Sequence, residues 1–243
     1  MRDALLAGLL AGLAAGLGGA LIAVLPRITR QVYDALLGFS AGVMLATGTI
    51  TLLWPALRQG NAVQPSLGLL CGAVLVLLLE RSVPHLEPHF APQIDGPEKR
   101  LGLLLSAAIT LHHIPEGLAI GVAFAGQGKA VGSVVALAIA MQNIPEGLAV
   151  AVPLRRAGFS RWRAILWATA SGLGEPLAAV IGVLFVRAVG PVVPFTLALA
   201  AGAMIFVASD QLIPESRQQP DAKAPSLGLI LGFLCVSTMT KIV

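Results

Sequence analysis

Two short polar segments interrupt an otherwise apolar part of this chain. Residues 110–124 read TLHHIPEGLAIGVAF, and residues 140–154 read AMQNIPEGLAVAVPL. Imidazole, carboxylate and carboxamide groups are ligands of divalent metal ions. A charged side chain at the middle of a membrane helix costs roughly 2.5–3.5 kcal/mol. Because this cost recurs at the same place in two neighbouring segments, the pattern indicates a metal-ion pathway through a membrane.

The composition is that of a membrane protein. The chain has 243 residues, of which 56% are hydrophobic and 12% charged, and its mean hydropathy is +0.86. A soluble domain carries about 25% charged residues, so this chain lacks the polar surface that water requires. Its net charge of +4 is typical of basic loops facing the cytoplasm and does not indicate a nucleic-acid partner.

The apolar runs predict an all-α polytopic membrane protein with eight transmembrane helices. A spanning helix needs about 20 mostly apolar residues. The runs lie near 4–25, 33–56, 65–83, 101–125, 130–154, 163–187, 191–213 and 225–242. Together they form a single transmembrane domain over 1–243, and the longest connection, 84–100, is predicted to be a cytoplasmic loop because it is rich in Pro and charges.

The lysines and arginines predict the orientation. Eleven of the sixteen follow the first, third, fifth and seventh helices: Arg27, Arg30, Arg81, Lys99, Arg100, Arg155, Arg156, Arg161, Arg163, Arg217 and Lys223. The other side holds five: Arg2, Arg58, Lys129, Arg187 and Lys241. The positive-inside rule therefore places both termini outside the cytoplasm, in a multi-pass protein of the cell (inner) membrane.

Two internal repeats appear along the chain. Residues 112–124 match 142–154, with IPEGLA identical in both copies. A weaker match relates SAGVMLA at 40–46 to AAGAMIF at 200–206, an offset of 160 residues. In the predicted topology the members of each pair cross the membrane in opposite directions. Inverted repeats with polar groups at mid-membrane are a recurrent plan for transporters.

The helical period places the polar residues of each motif on one face. At 100° per residue, Glu116 lies roughly 40° from His112 and roughly 60° from His113 around the helix axis. Gln142, Asn143 and Glu146 repeat this arrangement in the next helix. Two such faces at the same depth can surround an ion.

The sixth predicted helix adds a third acid, Glu175, which has no cationic partner in its own segment. The ion that neutralises Glu116 and Glu146 is one compensation, and a protonated structural glutamate is the alternative. Three carboxylates carry a charge of −3, so one divalent ion leaves −1 and two leave +1. Ligands of this type, without thiolate, suit Zn²⁺, Cd²⁺, Fe²⁺, Mn²⁺ or Co²⁺ as cargo; no catalytic cofactor is expected.

The segments LHHIPEG, MQNIPEG, GLGEP and AGAMIFVASDQLIPES resemble the ZIP (Zrt/Irt-like) metal transporters, and the bacterial GufA-like branch in particular. The resemblance spans essentially the whole chain. It implies eight helices with inverted pseudo-symmetry, and transport of divalent metals into the cytoplasm.

The resemblance also implies a two-metal centre between helices 4, 5 and 6. One ion would be held by His112, Glu116, Gln142 and Glu146, with Met44 nearby. The second would be held by His113, Asn143 and Glu175, with Glu116 and Glu146 as bridges.

This chain has His113 where the family usually has asparagine. Imidazole binds zinc more strongly than a carboxamide oxygen does, so the second position is expected to be tighter and more dependent on pH. Whether an ion held there is transported or retained is left open by the sequence.

Two other functions were weighed against transport of divalent metals. An intramembrane metal hydrolase could use His112, His113 and Glu116, but the HExxH helix signature is absent. A proton-coupled carrier of another solute could use mid-membrane glutamates, but it leaves the doubled polar pairs unexplained. The expected partners are divalent metal ions and the lipid bilayer; the oligomeric state is open, a homodimer being one arrangement.

Overall fold

The computed structural model of the protein is built from helices. It describes residues 1–25, 28–59, 61–90, 97–189, 192–219 and 223–241. Over these ranges the regular structure is helical, without a strand, and forms eight successive units. The prediction of an all-α fold with eight helices is confirmed.

The eight units are named α1 to α8 in chain order. Their bounds are α1 (Arg2–Val24), α2 (Arg30–Gln59), α3 (Val63–Phe90), α4 (Pro97–Gly126), α5 (Lys129–Arg156), α6 in two parts (Arg161–Ser171 and Gly174–Val189), α7 (Val193–Ser216) and α8 (Ala224–Met239). In the described part of the chain, six of them (α1, α2, α3, α5, α6 and α7) are long and apolar enough to cross a membrane. Helix α8 is a shorter apolar helix of 16 residues.

Helix α3 continues beyond its apolar run. The sequence predicts a span near 65–83 and a loop over 84–100, but the helical backbone reaches Phe90 and resumes at Pro97. Residues 91–96 lie outside the described part of the chain. The predicted loop is therefore too long, because hydropathy follows the part of a helix that lies in lipid, whereas backbone hydrogen bonding continues beyond it.

Helix α6 is interrupted, although the sequence predicts one helix near 163–187. Its second part starts at Gly174 and has Glu175 in the first turn. The free N–H groups at a helix N-terminus favour a negative charge there. Gly117 of α4 lets this turn come close, since a Cβ at Gly117 would lie 2.7 Å from the Ala178 Cβ and 2.8 Å from the Glu175 Cα. The break thus brings the third acid against α4.

Two π-helical segments lie at equivalent places in the weaker repeat. One covers Thr47–Leu53 in α2, and the other covers Ala208–Leu212 in α7. The first segment begins directly after the repeated string at 40–46, and the second is separated by one residue from the end of the string at 200–206. The 160-residue offset therefore relates backbone conformation as well as residue type. π-Helical turns are rare overall, and those that do occur are often found at functional sites.

The helix contacts are repeated as well. Helix α2 packs against α8 as α7 packs against α3, and α1 packs against α5 as α6 packs against α4. Glycines make these contacts close: Gly228 and Gly232 face the backbone of Ala35 and Phe39, while Gly68 and Gly72 face that of Phe195 and Leu199. The repeat is also visible in the sequence, where PSLGL occurs at both 65–69 and 225–229.

These contacts divide the helices into two groups. Helices α1, α4, α5 and α6 pack on one another, whereas α2 packs with α8 and α3 with α7. The ligand-bearing group, defined as α1, α4, α5 and α6, contains the two IPEG motifs. The surrounding group, defined as α2, α3, α7 and α8, meets it mainly where α2 contacts α5 and where α7 contacts α4.

Candidate metal centre

The polar residues of the two motifs and of α6 are buried inside the bundle. His113, Glu116, Gln142, Asn143 and Glu175 are completely buried, and His112 and Glu146 are 2% and 1% exposed. Helices α4 and α5 continue through Pro115 and Pro145, which keeps each motif on a continuous helix. The seven predicted ligands other than Met44 therefore lie in the interior of the helical bundle.

The carboxylates converge on His113. One ligand atom from each of His113, Glu116 and Glu146 lies within 4.8 Å of the other two, which is close enough for a shared ion. The His113 Nε2 is 3.7 Å from the Glu175 Oε1. Residues from three separate helices thus meet at one point.

Each of the three carboxylates is held at one oxygen by a neutral donor. The Gln142 Nε2 donates to the Glu116 Oε1 over 2.5 Å, and the Asn143 Nδ2 donates to the Glu175 Oε1 over 2.6 Å. The third donor is Ser40 of α2, whose Oγ donates to the Glu146 Oε1 over 2.5 Å. Ser40 was not predicted as a site residue.

By hydrogen-bond geometry, the second oxygen of each carboxylate has no donor, and the other ligand atoms nearby have no partner. The described part of the chain contains eight buried atoms of this cluster without a hydrogen-bond partner: His112 Nδ1 and Nε2, His113 Nε2, Glu116 Oε2, Gln142 Oε1, Asn143 Oδ1, Glu146 Oε2 and Glu175 Oε2. A buried polar atom without a partner costs roughly 1–3 kcal/mol. A bound cation offsets this cost, because carboxylate, carboxamide and imidazole lone pairs are what it binds.

The ring of His113 is oriented as a metal ligand. Its Nδ1 lies 3.1 Å from the Ile109 carbonyl oxygen and donates to it. This hydrogen bond fixes the tautomer in which Nε2 carries the lone pair and faces the carboxylates. Metal-binding histidines generally use their second nitrogen in this way.

His112 lies on a different side of the cluster. It forms part of the wall of a cavity of about 490 Å³ that extends between α2, α3, α4, α5 and α7. The wall also contains three acids, Glu80, Asp210 and Glu215. The Gln211 Nε2 donates to the Glu80 Oε1 in this wall. His112 therefore lies between the buried cluster and a cavity whose wall contains acids, outside the compact group formed by His113, Glu116 and Glu146.

Met44 is completely buried in the apolar core, as is its repeat partner Met204. It lies one turn beyond Ser40 and thus on the same side of α2. Its neighbours in the described structure are those of the apolar core. Its role as a metal ligand remains a prediction.

A helical membrane bundle that encloses acids, imidazoles and carboxamides has an interior whose groups could hold a metal ion. The chain belongs to the ZIP zinc transporter family, whose model matches residues 97–240. This confirms the resemblance found in the sequence and places the chain among transporters, not enzymes.

Curated relatives extend the similarity over nearly the whole chain. Zinc transporter ZIPB of Bordetella bronchiseptica is 42% identical, with 88% of this chain and 73% of the relative covered. Zinc transporter GufA of Myxococcus xanthus is 36% identical over 89% of each chain. Zinc transporter ZIP11 of Bos taurus is 32% identical, with 90% of this chain and 91% of the relative covered.

Proposed function

We propose that this protein carries divalent metal ions, Zn²⁺ foremost and also Cd²⁺, Fe²⁺, Mn²⁺ or Co²⁺, across the cell membrane into the cytoplasm. The observation that carries the proposal is the set of eight unpartnered ligand atoms around three buried carboxylates. The names of the relatives, all zinc transporters, support the choice of zinc.

The number of ligand atoms, and not the charge, favours two ions over one. Three carboxylates leave −1 with one divalent ion and +1 with two, whereas Glu116 and Glu146, on neighbouring helices, each have an oxygen without a hydrogen-bond partner that can bridge two ions. One ion is bound by His112 and Gln142 together with these two glutamates. The other is bound by His113, Asn143 and Glu175, and the two glutamates bridge the pair.

The route towards the cytoplasm passes through the cavity beside His112. Its wall contains the N-terminal part of α2 and the C-terminal part of α7, which lie on the side that the positive-inside rule assigns to the cytoplasm. Three acids in the wall provide a path of negative charge for a departing cation. Access alternates between the two sides as the ligand-bearing group rocks against the surrounding group.

Reconstituted protein tests this function. Proteoliposomes containing a zinc-sensitive dye should show uptake with the wild type and none with Glu116→Ala or Glu146→Ala. Asp3→Ala is the matched control, because Asp3 is an acid near the outer end of α1 that pairs with Lys129 away from the cluster. Uptake by both cluster variants at the wild-type rate would refute the assigned pathway.

A homodimer remains a prediction of the sequence analysis. Light scattering of the protein in a mild detergent measures the number of chains per particle and decides it directly.

A further inference from the structure

Among the described residues, Ser40 is the one donor to the three carboxylates that comes from outside the ligand-bearing group. Gln142 and Asn143 both belong to α5, within the same group as the acids to which they donate. Ser40 belongs to α2, in the surrounding group, and it is completely buried. Its Oγ lies 2.5 Å from the Glu146 Oε1 and 3.3 Å from the Gln142 carbonyl oxygen. It therefore contacts α5 at the level of the cluster.

The internal repeat shows that this contact is one-sided. The residue equivalent to Ser40 at the 160-residue offset is Ala200 in α7, which has no hydroxyl group. Glu116 accordingly receives its hydrogen bond from Gln142 within its own group. A packing role alone would be met by alanine on both sides, so the hydroxyl at Ser40 requires its own explanation.

We propose that Ser40 is a positioning residue for Glu146 and makes cation affinity depend on the position of α2 against α5. Its hydrogen bond holds the Glu146 Oε1 and leaves Oε2 directed at the cation. Outer-sphere partners of this kind typically contribute 10- to 100-fold in metal affinity.

If the protein transports cations as proposed above, the Ser40 hydrogen bond also couples cation binding to the movement of the two helix groups. When the two helix groups move relative to each other, Glu146 loses its donor and binds the cation more weakly. A ligand shifts a conformational equilibrium only through its different affinity for the two states. Ser40 supplies such a difference, so the cation stabilises the arrangement in which α2 and α5 are in this register.

A second link between the groups lies at the outer end of α2. The Gln127 Nε2 donates to the Thr51 carbonyl oxygen over 2.8 Å, and Thr51 lies in the first π-helical segment. Gln127 belongs to the connection between α4 and α5. Helix α2 is thus hydrogen-bonded to the ligand-bearing group at two heights, and both bonds must break when the groups separate.

The test compares zinc binding by calorimetry with uptake kinetics. Ser40→Ala should raise the dissociation constant for Zn²⁺ and the KM for uptake at least tenfold, with the maximal rate within about twofold of the wild type. Ser40→Thr should retain wild-type affinity, since it keeps the hydroxyl. Thr196→Val is the control for loss of a buried hydroxyl, because Thr196 bonds only locally to the Val193 carbonyl in the described structure.

Should Ser40→Ala not fold, Ser40→Val and Ser40→Thr compare side chains of nearly equal size with and without the hydroxyl. Wild-type affinity in Ser40→Ala or in Ser40→Val would overturn the proposal. Failure of the proposed function itself is distinguishable, because it would appear as zinc uptake by Glu116→Ala and Glu146→Ala at the wild-type rate.

Discussion

Glu175→Gln is predicted to reduce the number of tightly bound divalent ions from two to one. The substitution keeps an oxygen that accepts from Asn143, but it removes one of three buried negative charges. The cluster then carries −2, so one divalent ion neutralises it and a second would leave +2 in the interior. The second ion is the one that is lost.

The magnitude follows from the short distances. The Glu175 Oε1 lies 3.7 Å from the His113 Nε2, so an ion about 2 Å from that nitrogen is roughly 2–6 Å from the carboxylate oxygen, and 4 Å is a middle value. Two unit charges at 4 Å attract by about 4 kcal/mol at an effective dielectric constant of about 20. The double charge of the ion raises this value and rearrangement of neighbouring dipoles lowers it. A net loss of about 4 kcal/mol corresponds to roughly a thousandfold weaker binding.

Calorimetric titration with Zn²⁺ and elemental analysis of the dialysed protein measure affinity and stoichiometry together. The control is Glu215→Gln, which removes a partly exposed acid in the cavity wall outside the cluster; it should still bind two ions. Two ions bound by Glu175→Gln with wild-type affinities would refute the electrostatic reasoning.

Three further substitutions test the site and its supports. His113→Asn should weaken the second ion at least tenfold in calorimetry and leave the first unchanged, because a carboxamide oxygen replaces a fixed imidazole nitrogen; equal weakening of both would contradict separate positions. Gly147→Ala should lower stability by about 1–3 kcal/mol, since the new Cβ would lie 2.6 and 2.8 Å from the Ala15 carbonyl carbon and Cα; thermal unfolding measures this, and Gly174→Ala, with open space around it, is the control. Arg30→Ala should lower the free energy of unfolding by about 3 kcal/mol, because the buried Asp34 loses its partner at 2.7 Å. Breaking the exposed Lys129–Asp3 pair should lower it by less than about 1 kcal/mol. Equal losses for the two pairs would contradict the role given to burial.

The sequence was sufficient for the helices and for most of the cluster. Apolar runs predicted eight helices, and the helical period put His113 and Glu116 on one face of α4. The structure brings both within 4.8 Å of Glu146. These features follow from the helical period and from the cost of burying a charge, and both can be recognised within a single segment of the sequence.

The features that the sequence did not predict depend on contacts between segments that are distant in the chain. Ser40 lies in a string of small residues, where a serine is equally consistent with close helix packing, and only the pairing of α2 with α5 shows its partner. The π-helical segments and the break at 172–173 are backbone responses to packing. The repeat PSLGL was available in the sequence, but its meaning appears only when α3 and α8 are seen in equivalent contacts.

A crystal structure of the protein soaked in Zn²⁺, with anomalous scattering measured at the zinc edge, tests the central claim most directly. We expect two anomalous peaks inside the cluster, one beside His112 and the other beside His113 and Glu175, with Glu116 and Glu146 between them. Peaks confined to the cavity wall or the surface, with none among these carboxylates, would contradict it.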